Sequence, residues 1–451
     1  MLLNQNQIGC VQNRPEVKFE QIIGRALAAE SDVASTPAYL RAEWLGNTAN
    51  SVLQHQEALA KTIVQEGIKT IREARSEVGR AHVTLKLCAE QAKRNIGQMI
   101  PFDQAPRGVG RIGWTEMRPV GLVAAITPFN DPLNLVAHKV GPAIAAGCPV
   151  IVKPHEATPG SAIQLQKLFA QNGLPEGVFQ VMEGKGAEIG KRLVEHPAVK
   201  MITFTGGVAT GKAVAISSAG RPTSLEMGGI CSTIVMPDAD LQNAVENIVS
   251  GMFAAAGQNC LHVQRVLIDD AVYETVVQKL VVGTNEIQLG DPMSESTDMG
   301  NLIDEQSAKR CVGILDDALT RGGKIIAGGR CSGRSFQPTL LENVSKEARI
   351  YSEEVFGPIT VIERFNGLEE AVTRLSKASA SLAVAVFTKS LTLPFSLRQL
   401  RTGSIIINDS TDFRIDAMPF GGPFPAGLGR EGVEYAIKSM SEPQLICLNL
   451  N

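Results

Sequence analysis

The feature that most constrains the fold is a regular alternation of short apolar runs with amphipathic helical segments between residues 120 and 228. GLVAAITPF, PVIVKP and KMITFTGG read as buried strands, whereas LNLVAHKVGPAIAAG and SAIQLQKLFAQNG have helical spacing. Strands and helices that alternate in this way predict a parallel sheet with right-handed crossovers, because parallel neighbours need a long connection. A second alternating region, from about residue 254 to 408, predicts a second such unit. The fold class is therefore α/β.

The remaining segments flank these two regions. Residues 19 to 94 carry Ala, Leu, Ile and Val at three- and four-residue spacing, which predicts a helical N-terminal layer. RIGWTEM, between Pro106 and Pro119, has the pattern of a strand in a hairpin that leaves the main body. The length of 451 residues allows two or three domains at roughly 100 to 200 residues each.

Charge and cysteine content exclude several classes of protein. Lys and Arg number 43 and Asp and Glu 46, for a formal net charge of −3, so no nucleic-acid partner is expected. The 8 cysteines include no C-x-x-C pair, and neither a disulfide framework nor a metal site is indicated. The apolar stretches are short and broken by Gly or Pro. They predict no signal peptide, no membrane partner and a cytoplasmic location.

Two glycine-rich motifs bear on phosphate binding. Gly108, Gly110 and Gly113 spell G-x-G-x-x-G, but no strand precedes them and no helix follows, so they indicate a turn entering a hairpin. Residues 206–213, GGVATGKA, follow an apolar strand and are close to a phosphate loop, with Ala where a Mg²⁺ ligand would stand. This loop fits a dinucleotide bound without Mg²⁺ better than ATP. An ordinary strand-to-helix turn and, more distantly, an ATP-hydrolysing loop using Lys212 are the alternatives.

Two residues have the setting of catalytic groups. Cys260 stands in FAAAGQNCLHVQR, where Gly257 allows close backbone approach and polar neighbours flank the thiol. It is a candidate nucleophile, with a buried structural cysteine as the alternative. Glu226 lies in the apolar, glycine-rich stretch SLEMGGI, where burial would raise its pKa towards that of a general base. A Glu226 neutralised by a neighbouring Lys or Arg is an equally open alternative.

Together these segments resemble the aldehyde dehydrogenase superfamily from about residue 40 to 440. LEMGGICS is similar to its glutamate signature and FAAAGQNCLHVQR to its cysteine signature. RPVGLVAAITPFNDP, KVGPAIAAGCPVIVKPHEATP, GLPEGVF, FTGGVATG, EEVFGPI and PFGGPFPAGLGREG match further blocks in the family's order. The resemblance implies a Rossmann-like parallel cofactor domain, an α/β catalytic domain and a small β oligomerisation element.

The resemblance also implies how the chain is divided. Residues 1–100 and 120–228 would form the NAD(P)-binding domain, 229–424 the catalytic domain, and 101–119 with 425–451 the oligomerisation element. The C-terminal strand QLICLNL would otherwise expose an edge open to uncontrolled pairing. A homodimer or homotetramer is therefore expected.

The chemistry that the resemblance implies needs three groups and no metal. Cys260 would attack the aldehyde carbon as a thiolate, and the Asn130 side-chain amide with the Cys260 backbone N–H would hold the oxyanion. Hydride would then pass to the nicotinamide. Glu226 would activate the water that hydrolyses the remaining thioester, so that the product is a carboxylic acid.

The cofactor implied is NAD, with NADP as the alternative. A carboxylate at Glu156 can accept hydrogen bonds from both ribose hydroxyls but repels a 2′-phosphate, which favours NAD, while nearby Lys153 would partly accommodate the phosphate. The cofactor contacts implied are Ile126, Thr127, Phe129, Lys153, His155, Glu156, Gly186, Phe204, Thr205, Gly206, Gly207, Thr210, Met227, Gly228, Glu354 and Phe356.

The substrate implied is a small polar or anionic aldehyde. FNDPLNLVAHK resembles the branch that includes phosphonoaldehyde and lactaldehyde dehydrogenases. His138 stands where several relatives carry a large aromatic, and it is expected either to pair with an anionic head group or to be a hydrogen-bonded helix histidine away from substrate. Asn259 argues against a phosphorylated substrate, because relatives acting on those often have Arg there. The substrate contacts implied are His138, Asn259, Leu261 and Phe420.

Two alternative functions share the same scaffold. Members that acylate coenzyme A typically lack the glutamate present here as Glu226, which favours hydrolysis. A non-catalytic binding protein would be expected to lose Cys260, Glu226 or Asn130, and all three are present.

Overall fold

The computed structural model describes residues 15–218 and 220–450. Residues 1–14, which open the predicted cofactor-binding domain and bear on the predicted lack of a signal peptide, lie outside the described residues, as does Asn451. The helices are α1 Pro15–Ala28, α2 Glu30–Ser35, α3 Ala38–Gln54, α4 Gln56–Glu66, α5 Ile71–Ala92, α6 Asn134–Ala146, α7 Gly160–Gln171, α8 Lys191–Glu195, α9 Val208–Ser217, α10 Leu241–Phe253, α11 Tyr273–Glu286, α12 Glu305–Thr320, α13 Leu368–Ser376, α14 Leu393–Ser396 and α15 Val433–Ser439.

The strands fall into three sheets and one short hairpin. They are β1 Met99–Ile100, β2 Arg111–Pro119, β3 Val123–Ile126, β4 Val150–Lys153, β5 Phe179–Val181, β6 Met201–Thr205, β7 Thr223–Glu226, β8 Cys231–Val235, β9 Val263–Asp269, β10 Lys324–Ala327, β11 Cys331–Ser332, β12 Ser335–Phe336, β13 Thr339–Glu342, β14 Ile359–Phe365, β15 Ser381–Phe387, β16 Thr402–Ile407, β17 Gly427–Leu428 and β18 Ser441–Asn449.

Helices α1 to α5 form the predicted N-terminal layer. Apolar residues such as Leu45, Leu59 and Leu85 recur at helical spacing and are buried. Helix α5 begins with a capping box, in which Thr70 Oγ1 accepts from the backbone N–H of Glu73 and the Glu73 carboxylate accepts from Thr70 N–H. This helix packs against α6, which follows the first strand of the parallel sheet, so the layer lies directly behind that sheet.

The first large sheet has six strands in the order β17-β7-β6-β3-β4-β5. Strands β7, β6, β3, β4 and β5 run parallel to one another. Their register places Ile126 opposite both Lys153 and Phe204. Strand β17 pairs antiparallel with β7, a difference from the uniformly parallel arrangement predicted. The two residues of β17 are too short to give an alternation pattern, and they reach this sheet from the far end of the chain.

The second large sheet has seven strands in the order β10-β13-β14-β9-β8-β15-β16. Its neighbours are parallel except for β10, which returns antiparallel to β13. Helices α10, α11 and α12 cover its core, in which Val266, Ile314 and Leu340 are buried. The predicted α/β class is confirmed for both sheets.

A third sheet joins residues far apart in the sequence. Strand β2 pairs antiparallel with β18 along its whole length, from Ser441 opposite Pro119 to Asn449 opposite Arg111, and the short β1 pairs with the other edge of β2. Gly108 lies in a 3₁₀ turn and Gly113 within β2, so the G-x-G-x-x-G motif has no strand-turn-helix geometry, as predicted. Within residues 15–218 and 220–450, no helix is long and apolar enough to cross a membrane.

Candidate active site

The candidate site begins where four parallel strands of the first sheet end. Strands β3, β4, β6 and β7 are in register, and their last residues are Ile126, Lys153, Thr205 and Glu226. The carboxyl ends of parallel strands meet at one edge of a sheet, where open α/β sheets bind ligands. The sheet therefore gathers residues that the sequence predicted for both cofactor binding and catalysis.

Glu226 ends β7 as a buried carboxylate. The residue is only 2% exposed, and neither of its carboxylate oxygens has a hydrogen-bond partner among the residues that the structure describes. Burial and the neighbouring Glu431 carboxylate raise the pKa of Glu226 well above its usual range. A carboxyl group with a raised pKa and free oxygens can exchange a proton with a water near neutral pH, which is the property of a general base.

Cys260 follows an unusual turn that connects α10 to β9. Ala255, Ala256 and Gly257 have φ values of 52°, 55° and 67°, so three successive residues are left-handed. A side chain at Gly257 would come within 2.3 Å of the Gly357 carbonyl oxygen, which explains the glycine there. Burial and the Glu354 carboxylate raise the pKa of the Cys260 thiol. The thiol therefore lies on the short loop between this turn and β9, outside any helix or strand.

The predicted substrate contacts Leu261 and Phe420 lie in one apolar cluster with Cys260. Asn259 uses its Oδ1 to accept a hydrogen bond from Leu261 N–H at 3.0 Å, which fixes the backbone on both sides of the thiol. The structure thus brings three of the four predicted substrate residues to the nucleophile.

Asn130 lies on the loop between β3 and α6 and is 9% exposed. Its Oδ1 has no hydrogen-bond partner in the described part of the chain. The preceding Phe129 ring makes edge contacts with His155 at 5.1 Å and Phe356 at 5.7 Å between ring centres. These contacts join the loop after β3 to the loop after β4 and to the segment that precedes β14.

Glu156 lines a cavity of about 230 Å³ together with His155, Glu183 and Lys185. Glu156 Oε2 accepts a hydrogen bond from Gly186 N–H at 3.0 Å and lies 3.8 Å from Lys153 Nζ. Burial lowers the pKa of Lys153, against the opposing effect of Glu156. The Glu156 carboxylate is therefore held in place at the mouth of the cavity.

The loop after β6 leads straight into a helix. Gly206 N–H donates to the Glu226 carbonyl oxygen at 3.0 Å, and Gly207 is the residue that precedes α9, with open space where a side chain would stand. Thr210 lies in the first turn of α9. Lys212 Nζ instead lies 6.0 Å from the Phe424 ring centre. The helix begins at Val208, too soon for a loop that wraps a phosphate, which disfavours the ATP-hydrolysing alternative.

Phe204, Met227 and Gly228 surround this loop. The Phe204 ring and the Met227 thioether pack on the backbone of the loop and of α9. The Glu354 carboxylate lies against Gly228, where any side chain would overlap it. Burial raises the pKa of Glu354 to about 8. The Glu354 carboxyl group therefore lies against the segment that follows Glu226, and it acts electrostatically on Cys260.

Arg414 is a site residue that the sequence did not predict. Its side chain is 8% exposed, its guanidinium carbon lies 3.9 Å from the Phe420 ring centre, and its Nη2 lies 3.6 Å from Glu431 Oε2. Its Nε has no hydrogen-bond partner among the described residues. Arg414 opposes the upward pKa shifts of both Cys260 and Glu226. In the sequence, the one feature that connects Arg414 with the predicted site is its position six residues before Phe420.

Lys139 and Glu431 form a buried ion pair that the sequence also did not predict. Lys139 Nζ donates to Glu431 Oε1 at 2.8 Å, and both side chains are buried. Burial alone would raise the pKa of Glu431, but Lys139 lowers it to about 2. A permanent carboxylate thus faces Glu226 and contributes to the raised pKa there.

The structure does not support His138 as a substrate contact. Its side chain is 0% exposed, and its Nε2 pairs with Asp416 Oδ1 at 2.9 Å. Burial lowers the pKa of His138, which favours the neutral ring. A buried imidazole engaged with Asp416 presents no surface to an anionic head group, and the helix-histidine interpretation is the better one.

Comparison with known proteins gives a consistent result. The family model described as the aldehyde dehydrogenase family matches residues 3–446. The chain is 42% identical to aspartate-semialdehyde dehydrogenase 1 of Pseudomonas canavaninivorans, covering 92% of this chain and 89% of the relative. It is 40% identical to 3-sulfolactaldehyde dehydrogenase of Priestia aryabhattai, covering 95% and 90%. A solved structure, NADP-dependent glyceraldehyde-3-phosphate dehydrogenase from Bacillus halodurans C-125 complexed with NADP, superposes with a TM-score of 0.94 at 34% identity, covering 97% of this chain and 92% of that one.

Proposed function

The chain belongs to the aldehyde dehydrogenase family and is an NAD(P)-dependent aldehyde dehydrogenase, and from this premise we propose that it oxidises a small aldehyde with an anionic head group to the free carboxylic acid. The observation that carries the substrate proposal is Arg414. A buried guanidinium that stacks on Phe420, with an unpartnered Nε among the described residues, can donate to a carboxylate or a sulfonate.

The named relatives support the same substrate class. One is named for aspartate semialdehyde and another for 3-sulfolactaldehyde, and both compounds carry an anionic group close to the aldehyde. Arg414 stacks on Phe420, which packs in the same cluster as Cys260. The anionic group would therefore sit a few bonds from the carbon that the thiolate attacks, which suits a short chain.

The proposed chemistry uses three groups of this chain. Cys260 attacks the aldehyde carbon as a thiolate, and the Asn130 side-chain amide and the Cys260 backbone N–H donate to the oxygen that becomes negative. Loss of the substrate's hydride leaves a thioester on Cys260. Glu226 then takes a proton from water, the resulting hydroxide attacks the thioester, and the carboxylic acid leaves as the thiolate reforms.

The residues around the first sheet fit a dinucleotide. Thr127 Oγ1 and Thr205 Oγ1 are buried without hydrogen-bond partners among the described residues, and Gly207 leaves open space before α9. Glu156, held by Gly186 N–H, would accept from the adenosine ribose hydroxyls, and Gly206 and Gly207 would face the pyrophosphate. When bound, the cofactor supplies the acceptor for the hydride that leaves the substrate carbon. The Glu156 carboxylate favours NAD over NADP.

Release of the acyl group to water, rather than to coenzyme A, is proposed because of Glu226. Its buried carboxylate stands at the end of β7, and its raised pKa suits proton abstraction. An enzyme that transfers its acyl group to a thiol has no need of this base. A non-catalytic role is disfavoured because Cys260, Glu226 and Asn130 are all present.

Domain roles and assembly are part of the proposal. Residues 1–100 with 120–228 would bind the cofactor, 229–424 would carry catalysis, and 101–119 with 425–451 would mediate a homodimer or homotetramer. Strand β18 is the terminal strand of its sheet, and its Leu445 and Leu448 side chains are exposed, which suits burial against a second copy. Light scattering at micromolar concentration tests this assembly. The free thiols of the described cysteines suit a cytoplasmic location.

The experiment that tests the function follows reduced-nicotinamide absorbance with NAD and with NADP. The panel pairs anionic aldehydes, such as aspartate semialdehyde, succinate semialdehyde and sulfoacetaldehyde, with neutral aldehydes of equal length, each with and without coenzyme A. We expect turnover without coenzyme A and the highest kcat/KM for the anionic members. A preference for neutral aldehydes, or an absolute need for coenzyme A, would contradict the proposal.

A further inference from the structure

The first two turns of α5 touch both segments that carry the proposed oxyanion-binding groups. Asn130 lies on the loop between β3 and α6, and Cys260 follows the turn Ala254–Gly257. Glu73 and Glu77 are four residues apart and so lie on one face of α5. Each accepts a hydrogen bond from the backbone of one of the two segments.

Glu73 holds the turn that precedes Cys260. Its Oε1 accepts from Ala255 N–H at 2.7 Å, while its Oε2 accepts from Thr70 N–H at 2.8 Å. Ala255 and Ala256 are left-handed, a conformation that side-chain-bearing residues adopt only when their surroundings enforce it. The Glu73 carboxylate supplies a fixed partner at the first of these residues.

Glu77 holds the loop that follows Asn130. Its Oε1 accepts from Leu133 N–H at 2.7 Å and from Asn134 N–H at 3.0 Å, and these two groups begin α6. Its Oε2 accepts from Lys69 Nζ at 2.8 Å, and the Glu77 side chain is fully buried. The carboxylate therefore fixes the loop three residues beyond Asn130.

Asp131, the residue next to Asn130, is tied to the same helix region. Lys69 Nζ donates to Asp131 Oδ1, and Arg80 Nη1 lies 3.3 Å from Asp131 Oδ2. Ile68 packs with Ala255 in a small apolar cluster, against which Phe129 also packs. Polar and apolar contacts thus converge on α5 and its preceding loop from both segments.

We propose that Glu73 and Glu77 are positioning residues, through which α5 fixes the distance between the Asn130 amide and the Cys260 backbone N–H. This inference rests on the proposed function, in which those two groups hold the oxyanion. Neither carboxylate is proposed to touch substrate. A misplacement of about 1 Å between such donors is enough to lower a rate by about 100-fold.

The test compares Glu73→Ala and Glu77→Ala with Glu90→Ala, which removes an exposed carboxylate from the same helix. We expect the first two variants to lower kcat about 10- to 100-fold, with KM changed by less than about threefold, because the loss falls on transition-state binding. Hydrolysis of 4-nitrophenyl acetate, which uses the oxyanion donors but no cofactor, should fall in parallel. Glu77→Gln keeps an acceptor for Leu133 and Asn134 N–H and should recover most of the rate. Glu90→Ala should match the parent.

A double-mutant cycle with Asn130→Ala separates positioning from folding. If Glu77 acts through Asn130, adding Glu77→Ala to Asn130→Ala should cost less than about threefold further. A full second loss, or single variants that lower only the melting temperature and leave both rates at the Glu90→Ala level, would overturn the inference. An Asn130→Ala protein with normal rates would instead contradict the proposed oxyanion assignment itself. Where an alanine variant does not fold, Glu73→Met and Glu77→Met, which fill the volume but offer no carboxylate oxygen to the backbone N–H groups, take its place.

Discussion

The guanidinium carbon of Arg414 lies 3.9 Å from the centre of the Phe420 ring, and Phe420 packs in the cluster that contains Cys260. A guanidinium stacked on an aromatic face keeps its donors in a defined plane. We expect Arg414→Leu to raise KM for an anionic aldehyde about 10- to 100-fold, since a charge-assisted hydrogen bond contributes ~1.5–3 kcal/mol. The KM for a neutral aldehyde of equal length should be nearly unchanged, whereas kcat should change alike for both substrates because Arg414 also acts on the pKa of Cys260 and Glu226. Steady-state kinetics on the matched pair separate the two effects.

Arg398 offers a matched control for this prediction. It also stacks on a phenylalanine, Phe395, at 4.5 Å, but on the surface. Arg398→Leu should leave both KM values at the parental level. Equal effects of Arg414→Leu on the KM values for anionic and neutral aldehydes would mean that Arg414 supports the pocket without recognising charge.

Glu226 should impose a pH dependence on thioester hydrolysis. Burial and Glu431 raise its pKa, so the carboxylate that acts as base is populated only above that raised pKa, and the hydrolysis rate should rise with pH. Glu431→Gln removes the facing negative charge and leaves Lys139 without its partner, and both changes lower the pKa of Glu226. The rising limb should therefore move to lower pH. The rate at which the preformed acyl-enzyme releases the carboxylic acid, measured across pH, gives this rising part of the pH profile directly.

Glu434→Gln is the control, because Glu434 is an exposed carboxylate that pairs with Lys438. Its pH limb should coincide with that of the parent. A limb that stays in place in Glu431→Gln would show that Glu431 does not set the proton affinity of Glu226.

Glu354 should suppress thiolate formation at Cys260. Its carboxylate is the largest charge effect raising the thiol pKa, and its own pKa is about 8. Above pH 8 the charged Glu354 opposes the thiolate, so Glu354→Gln should lower the thiol pKa. The rate of alkylation by iodoacetamide should then rise at a lower pH than in the parent. Glu353→Gln, which alters the adjacent carboxylate paired with Arg349 at the surface, should leave the profile unchanged.

The fold was predictable from the sequence wherever a segment carries a continuous apolar run or a helical period. Apolar runs such as KMITFTGG identified β6 and its neighbours, and the 3.6-residue period identified the helices before residue 93. Strand β17 was not predictable, because two residues have no period and their partner β7 is about 200 positions away in sequence order. The proposed domain limits stay predictions.

The site was partly predictable, because only some of its residues have sequence neighbours that indicate a catalytic or binding role. Glu226 and Cys260 stand in unusual surroundings, so each could be singled out. The position of Arg414 six residues before Phe420 does not by itself indicate a contact, and only the folded chain places its guanidinium over that ring. For His138 the sequence left two interpretations open, because its partner Asp416 comes from a distant loop and one sequence does not show that the pair is buried.

Glu156 should decide the choice between NAD and NADP. Gly186 N–H donates to its carboxylate at 3.0 Å, which favours a position of the negative charge in the cavity where a 2′-phosphate would be repelled. We expect Glu156→Gln to lower KM for NADP by about 10-fold, because removing one like charge near a phosphate relieves ~1–2 kcal/mol of repulsion, and to raise KM for NAD. Glu176→Gln, a substitution at an exposed glutamate near Arg25, is the control and should change neither value. If the ratio of the two KM values is the same in Glu156→Gln and the parent, the preference is set elsewhere in the cavity, and Glu183 and Lys185 become the residues to vary next.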